Sequence, residues 1–131
     1  MQKKFLNPET MPVTLGYSHI VEVSNAKRTV YISGQIAINT DGRIVGINDL
    51  TLQTRQVFEN IKAALESSEL NFNDVIKLTF FLTDISQMAI VRDIRDQYIN
   101  TNNPPASSAV EVNKLIHDEL LIEIEAIAVA N

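Results

Sequence analysis

Two glutamates near the end of the chain, Glu123 and Glu125, are the residues whose type and spacing first suggest chemistry. They lie in the segment 121–129, Leu-Ile-Glu-Ile-Glu-Ala-Ile-Ala-Val, which alternates with period two as a β-strand does. At the rise of a strand the two carboxylates are about 7 Å apart on one face. Because apolar residues occupy both faces, this strand should be buried on both sides, where a carboxylate needs a partner, water or a cleft. The pattern fits a reactive site, and it equally fits two glutamates where the sheet meets solvent.

The other reactive side chains form no recognisable catalytic or metal-binding motif. Ser107 and Ser108 lack the flanking glycines of a nucleophile elbow and have no histidine nearby in sequence. The two histidines, His19 and His117, are far apart and have no evident third ligand, so we expect no metal site. The four glycines are scattered, which argues against a glycine-rich phosphate-binding loop.

The composition is that of an ordinary globular protein. With 131 residues, of which 45% are hydrophobic and 21% charged, we expect one domain spanning 1–131. The net charge of −5 and the lack of a basic run make nucleic acid an unlikely partner. No apolar run approaches the ~18 residues of a membrane span, and the start of the chain does not resemble a secretion signal. The lack of cysteine fits a cytoplasmic protein.

The hydrophobic periodicity predicts an α+β order that could position the two glutamates. A helix over 50–67 is predicted from an apolar stripe, with Asp49 or Thr51 as its N-cap. Asp84 and Gln87 resemble a capping box for a second helix that continues to about residue 99. Strands are predicted over 17–23 and 29–33 as a hairpin, and also over 75–82, 108–112 and 121–129.

The resulting order, β-β-α-β-α-β-β, predicts two helices on one face of a single mixed sheet. The opposite face of that sheet would then be apolar and exposed. Such a face predicts that the protein associates with itself.

An ordered set of short segments resembles the Rid proteins (reactive intermediate/imine deaminases), which are also labelled YjgF-like or endoribonuclease L-PSP-like. The resemblance covers nearly the whole chain. It rests on Tyr17-Ser18-His19, Ser33-Gly34-Gln35-Ile36, Asp74-Val75-Ile76-Lys77, Pro105-Ala106 followed by Val110-Glu111-Val112, and Glu123-Ile124-Glu125-Ala126-Ile127-Ala128-Val129.

The resemblance implies a chorismate-mutase-like α+β fold and a homotrimer, in which the sheets form a central barrel and clefts lie between neighbouring subunits. It also implies a hydrolase activity, the deamination of 2-enamine or 2-imine acids to 2-oxo acids and ammonia. The implied ligand is a small carboxylic acid, and no metal or organic cofactor takes part.

The resemblance also implies roles for individual residues. Glu123 would hold the attacking water, while Tyr17, Ser33 and Gly34 would line the cleft. Glu125 would be an outward or interface neighbour of Glu123 rather than a catalyst.

The chain departs from the deaminating members at the group that grips the substrate carboxylate. Ser107 occupies the position of the family's arginine, and Ala109 occupies the position of a cysteine. A serine cannot supply a charged bidentate clamp, so the loss is on the order of 2 kcal/mol of substrate binding. Arg92 stands where many members have asparagine, and it could return a guanidinium from another direction. The favoured interpretation is nevertheless a solvated helix residue beside Asp93 and Asp96.

Two functions therefore remain open. The first is an imine deaminase with an altered substrate range, and the second is a catalytically weak member that binds small metabolites as a sensor or chaperone. A ribonuclease fits the acidic balance poorly.

One further departure concerns the end of the first helix. Glu69 occupies the position at which the family usually has a glycine. If Glu69 adopts a left-handed conformation there, it bears strain of about 1 kcal/mol.

Overall fold

The computed structural model describes all residues from Met1 to Asn131. It contains six strands, two α-helices and two short 3-10 turns. In chain order the main elements are β1 (Gln2–Leu6), β2 (Ile20–Ser24), β3 (Arg28–Ile36), α1 (Leu50–Ser67), β4 (Val75–Leu82), α2 (Met88–Arg95), β5 (Ala106–Glu111) and β6 (Ile122–Ala130).

Four strands form a mixed sheet in the order β3-β6-β4-β5. β6 runs antiparallel to both of its neighbours, β3 and β4, whereas β5 pairs with β4 in parallel. The central position of β6 agrees with its apolar residues on both faces. The predicted final strand is therefore confirmed, and it carries Glu123 and Glu125 into the middle of the sheet.

Both helices cover one face of this sheet, as the sequence predicted. The apolar stripe of α1 is buried against the side chains of one face of β4 and β6, and α2 extends the same layer. Asp49 is the N-cap of α1, because its carboxylate accepts a hydrogen bond of 3.0 Å from the backbone N–H of Leu52. The core stripe of α1 consists of Val57, Phe58, Ile61 and Leu65.

The end of α1 is closed by two backbone hydrogen bonds that define a Schellman motif. The N–H of Leu70 donates to the carbonyl of Leu65 at 2.8 Å, and the N–H of Glu69 donates to that of Glu66 at 3.0 Å. Glu69 has a φ of +59°, so the condition stated for this position is met and Glu69 adopts a left-handed conformation without being a glycine.

The predicted hairpin between the first two strands is wrong. β2 pairs with β1, a strand that the sequence analysis did not identify, and the two form a separate two-stranded sheet. The chain turns between β2 and β3 at Asn25, which has a φ of +59°. β3 then pairs along its length with β6 instead of with its neighbour in sequence.

The second helix is shorter than predicted, since α2 ends at Arg95 rather than near residue 99. Asp84 caps a preceding 3-10 turn, where it accepts a hydrogen bond of 3.1 Å from the Ser86 N–H. The Gln87 side-chain amide donates to the Asp84 carboxylate and does not accept a hydrogen bond from the Asp84 N–H, so the predicted capping box is not formed. Hydrogen bonds from the Ser86 hydroxyl and backbone lower the pKa of Asp84. β5 also begins at Ala106, two residues earlier than predicted.

The sheet face opposite the helices, called the open face below, carries both polar and apolar side chains. It is therefore less apolar than the sequence predicted. One large aromatic residue of this face, Tyr31, is nevertheless 77% exposed. Neither helix is long and apolar enough to cross a membrane. By strand register the open face includes Tyr31, Lys77, Thr79, Phe81, Ser108, Val110, Glu123, Glu125 and Ile127.

Candidate functional site

A small cavity of about 150 Å³ lies between α2 and the first residues of β5, and it is called the α2 pocket below. It brings together four of the residues selected from the sequence, namely Tyr17, Arg92, Ser107 and Ala109. The pocket is therefore lined by two arginines, by hydroxyl groups and by apolar side chains. The complete lining is Leu15, Tyr17, Met88, Arg92, Arg95, Ser107, Ser108 and Ala109.

Tyr17 is held at the pocket by its neighbour Ser18, which is anchored to the start of β5. The Ser18 N–H donates to the carbonyl of Pro105 at 3.1 Å, and its hydroxyl donates to that of Pro104 at 2.6 Å. Ser18 also forms a parallel bridge with Ala106. These contacts place Tyr17 beside the strand that carries Ser107, although the two residues are 90 positions apart.

Arg92 contributes a guanidinium to the α2 pocket from the helix side. It is half-buried, and neither Asp93 nor Asp96 forms an ion pair with it. This placement differs from the favoured expectation of a solvated residue beside those two carboxylates. A charged fork without an acidic partner in a small cavity is suited to an anionic ligand.

Arg95 is a second cation of the pocket, and the sequence analysis missed it. Only 3% of this residue is exposed. Its Nε and Nη2 both lie 3.0 Å from Oδ1 of Asp96, and Nη2 also donates to the carbonyl of Leu15 at 3.5 Å. The available signal was its position, since Arg95 follows Val91 by four residues on the buried stripe of α2.

Glu123 lies elsewhere, on the open face, where its carboxylate packs against Gly34. Gly34 belongs to an irregularity of β3 at which the register with β6 shifts between Ile32 and Gln35. A Cβ at position 34 would lie 2.8 Å from Cδ of Glu123 and would also meet its Oε2. Any other residue at position 34 would therefore require the end of the Glu123 side chain to move.

Ser33 lines a different depression on the open face, of about 240 Å³, together with Glu125 and Lys77. The Nζ of Lys77 donates to the hydroxyl of Ser108 at 3.0 Å. Ser33 is exposed, and it is not part of the α2 pocket. Its neighbour Gly34 lies against the carboxylate of Glu123.

A single chain thus does not unite the residues selected from the sequence. Glu123 lines none of the five cavities of the chain. It projects from β6 to the open face, whereas the α2 pocket lies on the helix side, at β5. β4 separates β5 from β6, so these two strands are about 10 Å apart.

Neither histidine lines the α2 pocket or the depression that contains Ser33. The Nε2 of His19 lies 2.6 Å from the carbonyl oxygen of Pro12, and its ring packs edge-on against Tyr17 with the centroids 5.7 Å apart. His117 is exposed. No three histidine, aspartate or glutamate side chains cluster as metal ligands.

These features define an α+β protein with two helices on a mixed sheet, an arginine-lined pocket at the sheet edge and a glutamate on the open face. The family described as Endoribonuclease L-PSP matches residues 9–130. The chain belongs to this family, the Rid or YjgF family.

The relatives agree with this assignment along their whole length. A RutC family protein of Pyrococcus abyssi is 37% identical over 129 residues, which cover 98% of each chain. Protein DfrA of Myxococcus xanthus is 36% identical over 131 residues, covering 99% of this chain and 98% of the relative.

Solved structures of Rid proteins share the fold. The Rid protein YyfB of Yersinia pestis superposes with a TM-score of 0.86 at 35% identity, covering 98% of this chain and 99% of its own. RidA from an Antarctic Psychrobacter superposes with a TM-score of 0.71 at 34% identity, covering 96% and 98% respectively. The α+β arrangement predicted from the sequence is thereby confirmed.

Proposed function

We propose that this protein binds small 2-imino, 2-enamine or 2-oxo acids in a cleft between subunits of a homotrimer, and that it hydrolyses the imines. The observation that carries the proposal is the guanidinium of Arg92, which lines the same pocket as Ser107 and has no acidic partner. The cation that Ser107 cannot provide from β5 is then supplied by α2. Its fork would pair with the ligand carboxylate in a partly desolvated site.

The hydrolysis needs a water molecule positioned at C2 of the imine. The Glu123 carboxylate would hold this water and accept a proton as the water oxygen bonds to C2, while the electrons of the C=N bond move to nitrogen. That proton passes to the nitrogen, which gives a 2-amino-2-hydroxy acid. Glu123 would then take the proton of the C2 hydroxyl and deliver it to the amino group. As the C=O bond forms, the C–N bond breaks, which releases ammonia and leaves the 2-oxo acid.

The separation of Glu123 from the α2 pocket supports a site that is shared between copies. One chain would supply Tyr17 and Arg92, and its neighbour would supply Glu123 with Gly34 and Ser33. The open face offers Tyr31 and other side chains for packing three sheets around a central barrel. A closed ring of three identical subunits repeats one heterologous interface, and it therefore gives three equivalent clefts.

A small acid is a better ligand for this chain than RNA. The net charge is −5, and RNA binding would require clustered cations that neutralise phosphates. We also propose a cytoplasmic location, where amino-acid dehydratases would release the imines.

The proposal is tested by following the decay of 2-iminobutanoate, generated in situ by a dehydratase, with and without the protein. We expect the wild-type protein to accelerate the decay. Arg92→Ala should lower kcat/KM about thirtyfold, the equivalent of about 2 kcal/mol for a lost charge-assisted contact. Arg43→Ala removes an exposed arginine without a side-chain partner and should leave the rate unchanged. No acceleration by micromolar wild-type protein would contradict the enzymatic proposal.

A second function, binding without turnover, is favoured by Ser107 itself. In that case 2-oxobutanoate would shift the NMR signals of residues around the α2 pocket, although the imine would decay at the same rate with and without protein. Ser107→Arg distinguishes the two, because an intact cleft that lacks only its clamp should gain activity. If the imine decays no faster with Ser107→Arg, the cleft lacks more than a clamp.

A further inference from the structure

Arg95 occupies a position where an apolar residue would be expected. Its neighbours on the same stripe of α2, Met88, Val91 and Ile94, are all buried and apolar. Burying a guanidinium is strongly unfavourable unless it is paired, and the only acidic partner of Arg95 is Asp96, which has a side chain 46% exposed. A leucine or methionine would fill this position without that cost, so packing alone does not explain the arginine.

The contacts of Arg95 lead directly to Tyr17. Its Nη2 donates to the carbonyl of Leu15, and its guanidinium lies against the backbone of Gly16. A Cβ at position 16 would lie 3.2 Å from Cζ of Arg95 and would also meet its Nη2. Gly16 has a φ of +75°, in the region that favours glycine.

We infer that Arg95 is a positioning residue. Asp96 holds its guanidinium against Gly16, and this contact fixes the turn that places Tyr17 in the α2 pocket. The turn is then held on both sides, by Arg95 on α2 and by the hydrogen bonds of Ser18 to the residues before β5. That this pocket binds the ligand rests on the proposed function. The positioning itself does not, and the two can be tested separately.

The test is fluorine NMR of protein labelled with 3-fluorotyrosine, which gives one signal for each of the three tyrosines. The Tyr17 signal is assigned with Tyr17→Phe. Arg95→Met keeps an unbranched apolar side chain similar to the stem of the arginine and removes the fork. We expect it to shift or broaden the Tyr17 signal and to leave those of Tyr31 and Tyr98 in place. Arg43→Met is the matched control and should move none of them.

If Arg95→Met does not fold, Gly16→Ala addresses the same contact. Its control is Gly42→Ala, because Gly42 has a similar φ of +78° but nothing within 4 Å of an added Cβ. We expect the Tyr17 signal to move in Gly16→Ala and to stay in Gly42→Ala.

Ligand titration separates this inference from the proposed function. Arg95→Met should raise the Kd for 2-oxobutanoate at least tenfold, with partial recovery in Arg95→Lys. A Tyr17 signal that is unchanged in folded Arg95→Met would overturn the positioning role. Displacement of Tyr17 in a protein that binds no 2-oxobutanoate even as wild type would support the role and contradict the proposed function.

Discussion

The carboxylate of Glu123 rests on the backbone of Gly34, at the point where β3 departs from regular pairing with β6. The two residues are 89 positions apart in the chain, so only the fold brings them together. A side chain at position 34 would occupy the space of the carboxylate. The absence of a Cβ at position 34 therefore allows the carboxylate of Glu123 to lie where it does.

Replacing this glycine should displace the glutamate without unfolding the sheet. Gly34→Ala should lower kcat for imine hydrolysis at least tenfold and change the Kd of 2-oxobutanoate little, because the carboxylate clamp lies on the other half of the site. Glu123→Gln should have the same signature in the same assay. Gly42→Ala, which changes a glycine in open space, should keep its activity. A fully active Gly34→Ala would contradict the role of this contact.

The left-handed conformation of Glu69 predicts that this position can be improved. Glu69→Gly should raise the free energy of unfolding by about 1 kcal/mol, because glycine relieves the strain at the end of α1. Urea denaturation measures the change. Asn25→Gly is the matched control, since Asn25 also has a φ of +59° but asparagine tolerates that conformation better. We expect a smaller gain there, and an equal or larger gain would contradict the explanation.

Tyr98 should ionise late in an alkaline titration. Burial and a hydrogen bond of 2.7 Å from its hydroxyl to Glu59 raise the pKa of Tyr98 to about 12. Since the folded pKa lies above the ordinary value of 10.0, the contribution to stability is complete below pH 10 and is lost as the pH rises toward 12. Ultraviolet absorbance of tyrosinate should show a late step that Tyr98→Phe removes. Its persistence in that variant would assign the step to another group.

The proposed sharing of the site between subunits predicts that the protein is a trimer. Sedimentation equilibrium should give a particle of three chains at micromolar concentration. Tyr31→Glu should weaken this assembly, because it places a charge on the open face beside Glu125. Arg43→Glu should leave the assembly intact. A wild-type monomer would contradict the shared cleft.

The sequence predicted best those elements whose periodicity is long and regular. The bounds of α1, its Asp49 cap and the strand character of β6 follow from local patterns over nine or more residues. β1 was missed because Gln-Lys-Lys-Phe-Leu is short and carries two lysines, so only its pairing with β2 reveals it. The hairpin failed for a related reason, since the partner of β3 comes from the other end of the chain.

The sequence identified several residues of the candidate site, but it did not show how they are arranged. The resemblance selected Tyr17, Arg92, Ser107 and Ala109, which meet in the α2 pocket. The resemblance did not select Arg95, whose position on the apolar stripe of α2 was the only sign that it is buried. Nor could a one-dimensional pattern show that Glu123 and the pocket lie on different faces of the sheet.

The central claim, a site completed by two copies of the chain, is tested most directly by mixing two impaired variants. Assembled alone, Arg92→Ala is expected to keep about a thirtieth of the wild-type rate of imine hydrolysis, and Glu123→Gln about a tenth or less. Unfolded together and refolded as mixed trimers, they should reach about a quarter of the wild-type rate, because random assembly joins an intact Arg92 side to an intact Glu123 side in about one cleft in four. A mixture that is no more active than its two parents would contradict the account, since it would place both residues in the site of one chain.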